Sequence, residues 1–195
     1  EAGSAPYLDV LSHHTYSRLS RPFEQMAEMA EGQEGVVKGF GATERVWHSE
    51  QGTGADGCGY IALSQSEEQC AVNLVQAYLC ALATGVEKFF WFSAQTSPAY
   101  GWAVFRENYV PRPRLVALNG VARLLRDRAV TGRMELGEGR AACVLLEGEA
   151  GAAAALWNLR HLVSISLPAS DGVTGADMLG NVIEPRTIGG VPTFE

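Results

Sequence analysis

Residues 46–52 read VWHSEQG, a short apolar run that ends in a carboxylate and leads into glycine. Side chains alternate along a β-strand, so Val46, His48 and Glu50 are expected to share one face. If that face lines a barrel, Glu50 lies at its mouth with His48 one layer below. A carboxylate in that position can act as a nucleophile, a base or a metal ligand. The simpler alternative is a strand that ends at a solvated residue.

Two further apolar runs flank this stretch at intervals of about 40 residues. Residues 7–13 (YLDVLSH) form the first, and residues 86–92 (VEKFFWF) form the second, which is rich in aromatic residues. Aromatic and β-branched residues are typical of strands. The sequence therefore predicts three strands, each separated from the next by enough chain for a helix.

Helical patterns follow each of the three predicted strands. An apolar stripe predicts a helix over residues 22–30, and a second is predicted from a capping box at Ser64–Glu67 to Gly85. A third helix is expected to begin near Pro113, because proline is favoured in the first helical turn. Strands alternating with helices predict an α/β fold with a parallel sheet.

Polar side chains follow the predicted strands at the ends where α/β proteins carry their chemistry. His13, His14 and Tyr16 close the first strand and could orient an ionised Glu50. Trp91 in the third strand could offer a flat apolar platform, and sugars bind where polar groups and an aromatic face meet. Core packing is the alternative for Trp91, and a hydrogen-bonded core position is the alternative for either histidine.

The character of the sequence changes near residue 131. Short apolar runs and glycine-containing turns replace the helical pattern, which predicts a small antiparallel β domain over 131–195. Residues 1–130 form the predicted α/β part. The four cysteines include no metal-type CxxC pair, and a disulfide from Cys58 is left open.

Composition excludes two classes of partner. The chain has 195 residues and a net charge of −7, and nucleic-acid binding needs a basic face instead. It contains no apolar run of about 18 residues, so no membrane-spanning segment is expected. No signal peptide is recognised in this chain. An extracellular or periplasmic location is compatible with the sequence, which leaves the compartment open.

These motifs, taken in order, resemble those of a known group of enzymes. A strand ending in His-x-x-Tyr, a strand ending in Ser-Glu-x-Gly and a Lys-Phe-Phe-Trp-Phe strand are similar to the last three strands of the clan A glycoside hydrolases. Residues 100–106 (YGWAVFR) and 111–113 (PRP) resemble the final loop and the start of the closing helix. These enzymes are (β/α)8 barrels with two catalytic glutamates. A β domain after the barrel is common in members resembling xylosidases, iduronidases and cellulase-like enzymes.

The resemblance implies a role for each matching residue. Glu50 falls where the nucleophile of a retaining glycoside hydrolase stands, and a second glutamate would protonate the departing oxygen. It implies a carbohydrate substrate, an oligo- or polysaccharide, and no cofactor. The residues placed to bind substrate or to orient the nucleophile are His13, His14, Tyr16, His48 and Trp91.

One departure from the pattern limits what this chain can do. The second glutamate usually follows an asparagine, and the sequence contains no Asn-Glu dipeptide. Three strand-helix units occupy residues 1–130, whereas a full barrel needs about 250 residues. The chain is therefore expected to be the C-terminal part of a longer glycosidase, lacking the N-terminal barrel half, and inactive alone.

Two other functions stay open on the sequence. The first is a non-catalytic carbohydrate-binding or scaffold module. The second is a metal-dependent barrel hydrolase, in which His48 and Glu50 would supply ligands together with His13 and His14.

Overall fold

The computed structural model describes residues 9–14, 32, 35, 45–52, 66–95, 101–136, 141–158, 165–166 and 173–194. The chain divides into two compact units, Glu1–Leu118 and Asn119–Glu195. The division falls inside the helix that begins at Pro113. The helix expected over 22–30, together with Tyr16 and Cys58, lies outside the described residues.

The first unit contains a three-stranded parallel sheet. Its strands are β1 (Leu11–His14), β2 (Val46–Gln51) and β3 (Lys88–Trp91), in the order β1-β2-β3. Both pairings are parallel. The prediction of a mixed α/β fold is confirmed, because two long helices accompany this sheet and antiparallel strands follow it.

Helix α1 (Glu67–Ala83) follows β2 and begins at a cap that differs from the predicted one. The N-cap is Ser66, whose hydroxyl accepts from the backbone N–H of Gln69 at 3.1 Å. The prediction that Ser64 and Glu67 form the capping box is therefore wrong. Gly85 does end the helix as predicted, with a φ of +88° that favours glycine.

Helix α1 packs on one face of the sheet. The ring of Tyr78 in α1 lies 5.0 Å from the ring of Phe89 in β3, and Phe89 lies 6.1 Å from His48 in β2. His48 and Phe89 are buried, as are Leu74 and Ala77 of the helix, and Tyr78 is half-buried beside them. Burial of this apolar layer stabilises the first unit.

Helix α2 (Pro113–Leu125) begins at the predicted proline. Among the described residues, no helix is long and apolar enough to cross a membrane.

The second unit is built from antiparallel strands. β4 (Arg128–Leu136), β5 (Ala141–Gly148) and β6 (Ala153–Asn158) form one sheet in the order β4-β5-β6, and β5 is its most buried strand. The shorter strands are β7 (Ile165–Ser166), β8 (Gly175–Ala176), β9 (Val182–Ile183), β10 (Arg186–Ile188) and β11 (Val191–Phe194). They form two smaller sheets, ordered β10-β11-β7 and β8-β9.

Candidate active site

His14 and Glu50 meet at the carboxyl ends of two neighbouring parallel strands. The two residues are paired in the sheet, and His14 Nδ1 lies 3.2 Å from Glu50 Oε2. The Glu50 side chain is 30% exposed and that of His14 is 54% exposed. A carboxylate that is fixed by a neighbour and still open to solvent can reach a bound ligand. This arrangement is the main chemical feature of the described sheet.

The second histidine of β1 has a different partner. His13 pairs with His48, and their rings make an edge-to-face contact with centroids 4.4 Å apart. Because His13 and His14 point to opposite faces of β1, their partners His48 and Glu50 also lie on opposite faces. The prediction that Val46, His48 and Glu50 share one face is therefore wrong for Glu50.

A β-bulge in β2 explains this difference. The pairing with β1 steps from His13–His48 to His14–Glu50, and the pairing with β3 steps from His48–Phe89 to Gln51–Trp91. In each case β2 has one residue more than its neighbour. An extra residue shifts the alternation of every side chain beyond it. Glu50 therefore turns away from the face that strict alternation would give it.

The two faces of the sheet differ in what covers them. Strand register and alternation put His13, Val46, His48 and Phe89 on the face packed on α1. The opposite face, called here the far face, carries Ser12, Trp47, Ser49, Lys88 and Phe90. Its side chains contact one another: the Ser12 hydroxyl donates to the Ser49 hydroxyl at 2.7 Å. The Lys88 ammonium lies 4.3 Å above the centre of the Trp47 ring.

His48 lies on the helix-covered face and is fully buried. Burial, and secondarily the nearby His13, lower the pKa of His48 to about 4. The imidazole is therefore neutral at ordinary pH. Its position indicates a role in packing under the strand end, and the structure does not place it beside Glu50.

Trp91 also lies on the helix-covered face of β3, because it is two residues from Phe89. Its indole Nε1 donates to the carbonyl of Trp102 at 3.0 Å. The register thus does not bring this ring to the His14 side of the sheet, where a platform for a sugar at Glu50 was expected.

Gly52, two residues after Glu50, allows the backbone of Phe92 and the ring of Trp102 to pack closely against the end of β2. The Phe92 N–H donates to the Gln51 carbonyl at 2.8 Å, and a Cβ on Gly52 would lie 2.6 Å from the Phe92 carbonyl oxygen. The same Cβ would touch the Trp102 ring, which packs on Phe92. Only glycine therefore fits at this position without a backbone shift.

A buried ion network at the start of α1 holds the loop that follows β3. Arg114 is fully buried, donates through Nη1 to the Gly101 carbonyl at 2.8 Å, and donates through Nη2 to Glu67 Oε2 at 3.2 Å. Arg112 pairs with the other oxygen of Glu67. This network is not among the features predicted from the sequence, which give Glu67 a place in the capping box. The signal available was two arginines flanking the proline that opens α2.

Metal ligation was the other chemical possibility at this sheet edge. Within the described residues, no group of three or more His, Cys, Asp and Glu side chains is arranged to hold a metal ion.

Comparison with known proteins shows a similarity of fold. No protein-family model matches the sequence, and no curated protein matches it. Among solved structures, the chain is similar to a family 39 glycoside hydrolase from the gut symbiont Bacteroides cellulosilyticus WH2, with a TM-score of 0.73 and 15% identity. The similarity covers 99% of this chain and 43% of that chain, so this chain spans less than half of its length. At this identity the similarity establishes the fold: the chain has part of a glycoside hydrolase fold.

Proposed function

We propose that the chain is the part of a retaining glycoside hydrolase that carries the nucleophile, Glu50. Residues 1–130 would correspond to the last three strand-helix units of a (β/α)8 barrel, and residues 131–195 to a β-sandwich-like domain. The observation that carries the proposal is the partly exposed Glu50 carboxylate, 3.2 Å from His14 at the carboxyl ends of parallel strands. Barrel enzymes assemble their active sites at this edge.

The reaction would proceed in two displacements. Glu50 attacks the anomeric carbon, forming a glycosyl ester as the bond to the leaving oxygen breaks. A second carboxyl group, about 5 Å away and supplied by the missing half of the barrel, protonates that oxygen. The same group then takes a proton from water, which attacks the anomeric carbon and releases Glu50. Without that second group, this chain alone would not turn over a glycoside.

His14 would hold the carboxylate in position for attack. Its ring nitrogen Nδ1 contacts the carboxylate oxygen Oε2. Correct placement of a reacting group lowers the barrier because little orientation remains to be achieved in the transition state. The substrate would be a β-linked oligo- or polysaccharide, as the resemblance of the strand-end motifs to clan A glycoside hydrolases implies. A xylosidase- or iduronidase-like specificity is the finer form of this proposal.

Covalent trapping tests the role of Glu50 directly. A 2-deoxy-2-fluoroglycoside with a dinitrophenolate leaving group needs no acid catalyst, so the nucleophile alone can form the ester. The reagents, in the xylo and gluco series, are applied to this chain and to the product of the whole reading frame that encodes it. Mass spectrometry of the peptides should locate the added glycosyl group on Glu50.

The matched control is Glu68→Gln, because Glu68 is an exposed glutamate in the first turn of α1. Labelling should disappear in Glu50→Gln and persist in Glu68→Gln. Labelling at another residue, or in neither protein, would refute the assignment of the nucleophile. Oligosaccharide binding without any labelling would instead indicate a non-catalytic carbohydrate-binding module.

A further inference from the structure

The loop between β3 and α2 contains a tight hairpin over residues 104–112. Its two sides are joined by the bonds from Arg106 N–H to the Val110 carbonyl and from Arg112 N–H to the Val104 carbonyl, both 2.9 Å. Phe105 and Pro111 pair as an antiparallel bridge between them. The hairpin is thus a defined element of the first unit.

The base of the hairpin is fixed to the sheet edge that carries Glu50. Val104 N–H donates to the Ser93 carbonyl at 3.0 Å, and Phe105 N–H donates to the Ala94 carbonyl at 3.1 Å. Residues 93–94 directly follow Phe92, whose N–H is bonded to the Gln51 carbonyl next to Glu50. The Gln95 side chain adds a bond to the Glu107 carbonyl at 3.1 Å. The hairpin therefore projects from the candidate active-site edge.

Tyr109 at the tip of this hairpin has an unusual conformation. Its φ is +59°, in the left-handed region, where a bulky residue is a steric outlier. Its N–H donates to the Arg106 carbonyl at 2.9 Å, so the turn itself holds this geometry. The side chain is nevertheless 69% exposed, and packing within the chain gives little in return for the strain. Strained backbone of this kind is typical of positions kept for ligand contact.

The exposed ring has the chemistry of a sugar-binding surface. A tyrosine offers a flat apolar face for the CH groups of a pyranose and a hydroxyl for its polar edge. Arg106, Glu107 and Asn108 precede it and are also exposed, so groups that bond sugar hydroxyls lie beside the ring in sequence. Preorganisation by the hairpin reduces the entropy lost when a ligand binds.

We propose that Tyr109 is a stacking platform for a sugar unit of the saccharide, at a subsite away from the unit attacked by Glu50. The proposal rests on the proposed glycosidase function and adds a specificity-determining residue to it. It selects for substrates longer than one sugar, because a single unit at Glu50 does not need the platform.

Calorimetric binding of xylohexaose and cellohexaose, compared with xylose and glucose, tests this platform. The measurements use the product of the whole reading frame with Glu50→Gln, so that no sugar is consumed. Adding Tyr109→Ala should weaken hexasaccharide binding about tenfold, equivalent to about 1.4 kcal/mol, and leave monosaccharide binding unchanged. Tyr109→Phe should retain most of the affinity, because the ring face remains.

Tyr109→Gly distinguishes loss of the sugar-binding ring from loss of protein stability. It relieves the left-handed strain, so its melting temperature should equal or exceed that of the parent while its hexasaccharide affinity falls as in Tyr109→Ala. Asp127→Gly is the matched control, since Asp127 is the other described non-glycine residue with positive φ, at +56°. Its hexasaccharide affinity should equal that of the parent.

Three results would overturn the platform: hexasaccharide binding that is insensitive to Tyr109, monosaccharide binding that falls equally, or no hexasaccharide binding at all. A concentration-dependent dimer in sedimentation that disappears in Tyr109→Ala would assign the tip to self-association instead. Failure of the nucleophile is recognised separately. If the fluoroglycoside does not label Glu50 but Tyr109 still controls hexasaccharide affinity, the catalytic role fails and the platform stands.

Discussion

Replacing Glu67 by glutamine should destabilise the first unit far more than its position on the helix surface suggests. Arg114 is fully buried and depends on Glu67 and the Gly101 carbonyl as acceptors. Removing one partner of a buried ion pair costs roughly 3–5 kcal/mol, because the remaining charge is left in a poorly polarisable surrounding. Glu67 is 25% exposed, and the Gly101 bond survives. We therefore expect a loss of about 2 kcal/mol in the free energy of unfolding.

Urea unfolding at pH 7, followed by tryptophan fluorescence, measures this loss. Three of the four tryptophans (Trp47, Trp91 and Trp102) lie in the first unit and Trp157 lies in the second, so the signal reports mainly on the unit that contains the network. Glu68→Gln is the control, since it removes a charge from the same helical turn and keeps the network. It should cost about 0.3–1 kcal/mol, the range of an exposed charge near a helix N-terminus.

A third variant tests whether the loss of stability comes from leaving the Arg114 charge without its carboxylate partner. Adding Arg114→Met to Glu67→Gln removes the stranded guanidinium, and apolar replacement of buried ion pairs is often close to neutral. The double variant should recover at least half of the loss. Equal costs for Glu67→Gln and Glu68→Gln, or simple additivity with Arg114→Met, would refute the reasoning.

Three further outcomes follow from local contacts. Gly148→Ala should destabilise the second unit by about 2 kcal/mol in thermal unfolding, because its Cβ would lie 2.8 Å from Arg128 Cα. Gly132→Ala is the control and should be nearly neutral, because the nearest neighbour of its Cβ is a side-chain atom at 3.7 Å. The pKa of His48 is lowered from its usual 6.5 to about 4. Between pH 4 and pH 6.5 the unfolded chain therefore binds a proton at His48 that the folded chain does not. Stability is then complete above pH 6.5 and should fall by about 2 kcal/mol by pH 5 in urea titrations, a slope that His48→Gln removes. The side chain of Arg45, followed by that of Trp47, holds the pKa of Glu87 at about 2, and NMR titration of Arg45→Gln should return it towards its usual value of about 4.

Local signals in the sequence predicted several elements well. The three strands, the end of α1 at Gly85 and the start of α2 at Pro113 each depend on residues within a few positions of one another. Glycine at positive φ and proline in the first helical turn are backbone preferences, which need no knowledge of distant contacts. The meeting of His14 and Glu50 was also accessible, because the carboxyl ends of parallel strands lie at one edge of a sheet.

Long-range contacts explain where the sequence-based predictions failed. Glu67 was assigned to a capping box because its neighbours suited one, but its partners are 45 and 47 residues further along the chain. The N-cap is Ser66, and Ser66-x-x-Gln69 fits the same local capping pattern one register further on. Only the ion pairs of Glu67 depend on distant residues. Trp91 is expected beside Glu50 because it is an aromatic residue in the next strand, whereas strand register puts it on the opposite face.

The bulge in β2 has the largest consequence for function. Strict alternation would give His48 and Glu50 a common environment, and a neutral buried imidazole would then lie under the carboxylate. The extra residue instead leaves His48 packed among His13, Phe89 and the helix, where its protonation affects stability. It turns Glu50 towards His14, where the carboxylate is accessible. Because of this one inserted residue, His13 packs against the buried His48, whereas the next residue, His14, contacts the proposed nucleophile Glu50. Neighbouring positions in β1 therefore have different roles.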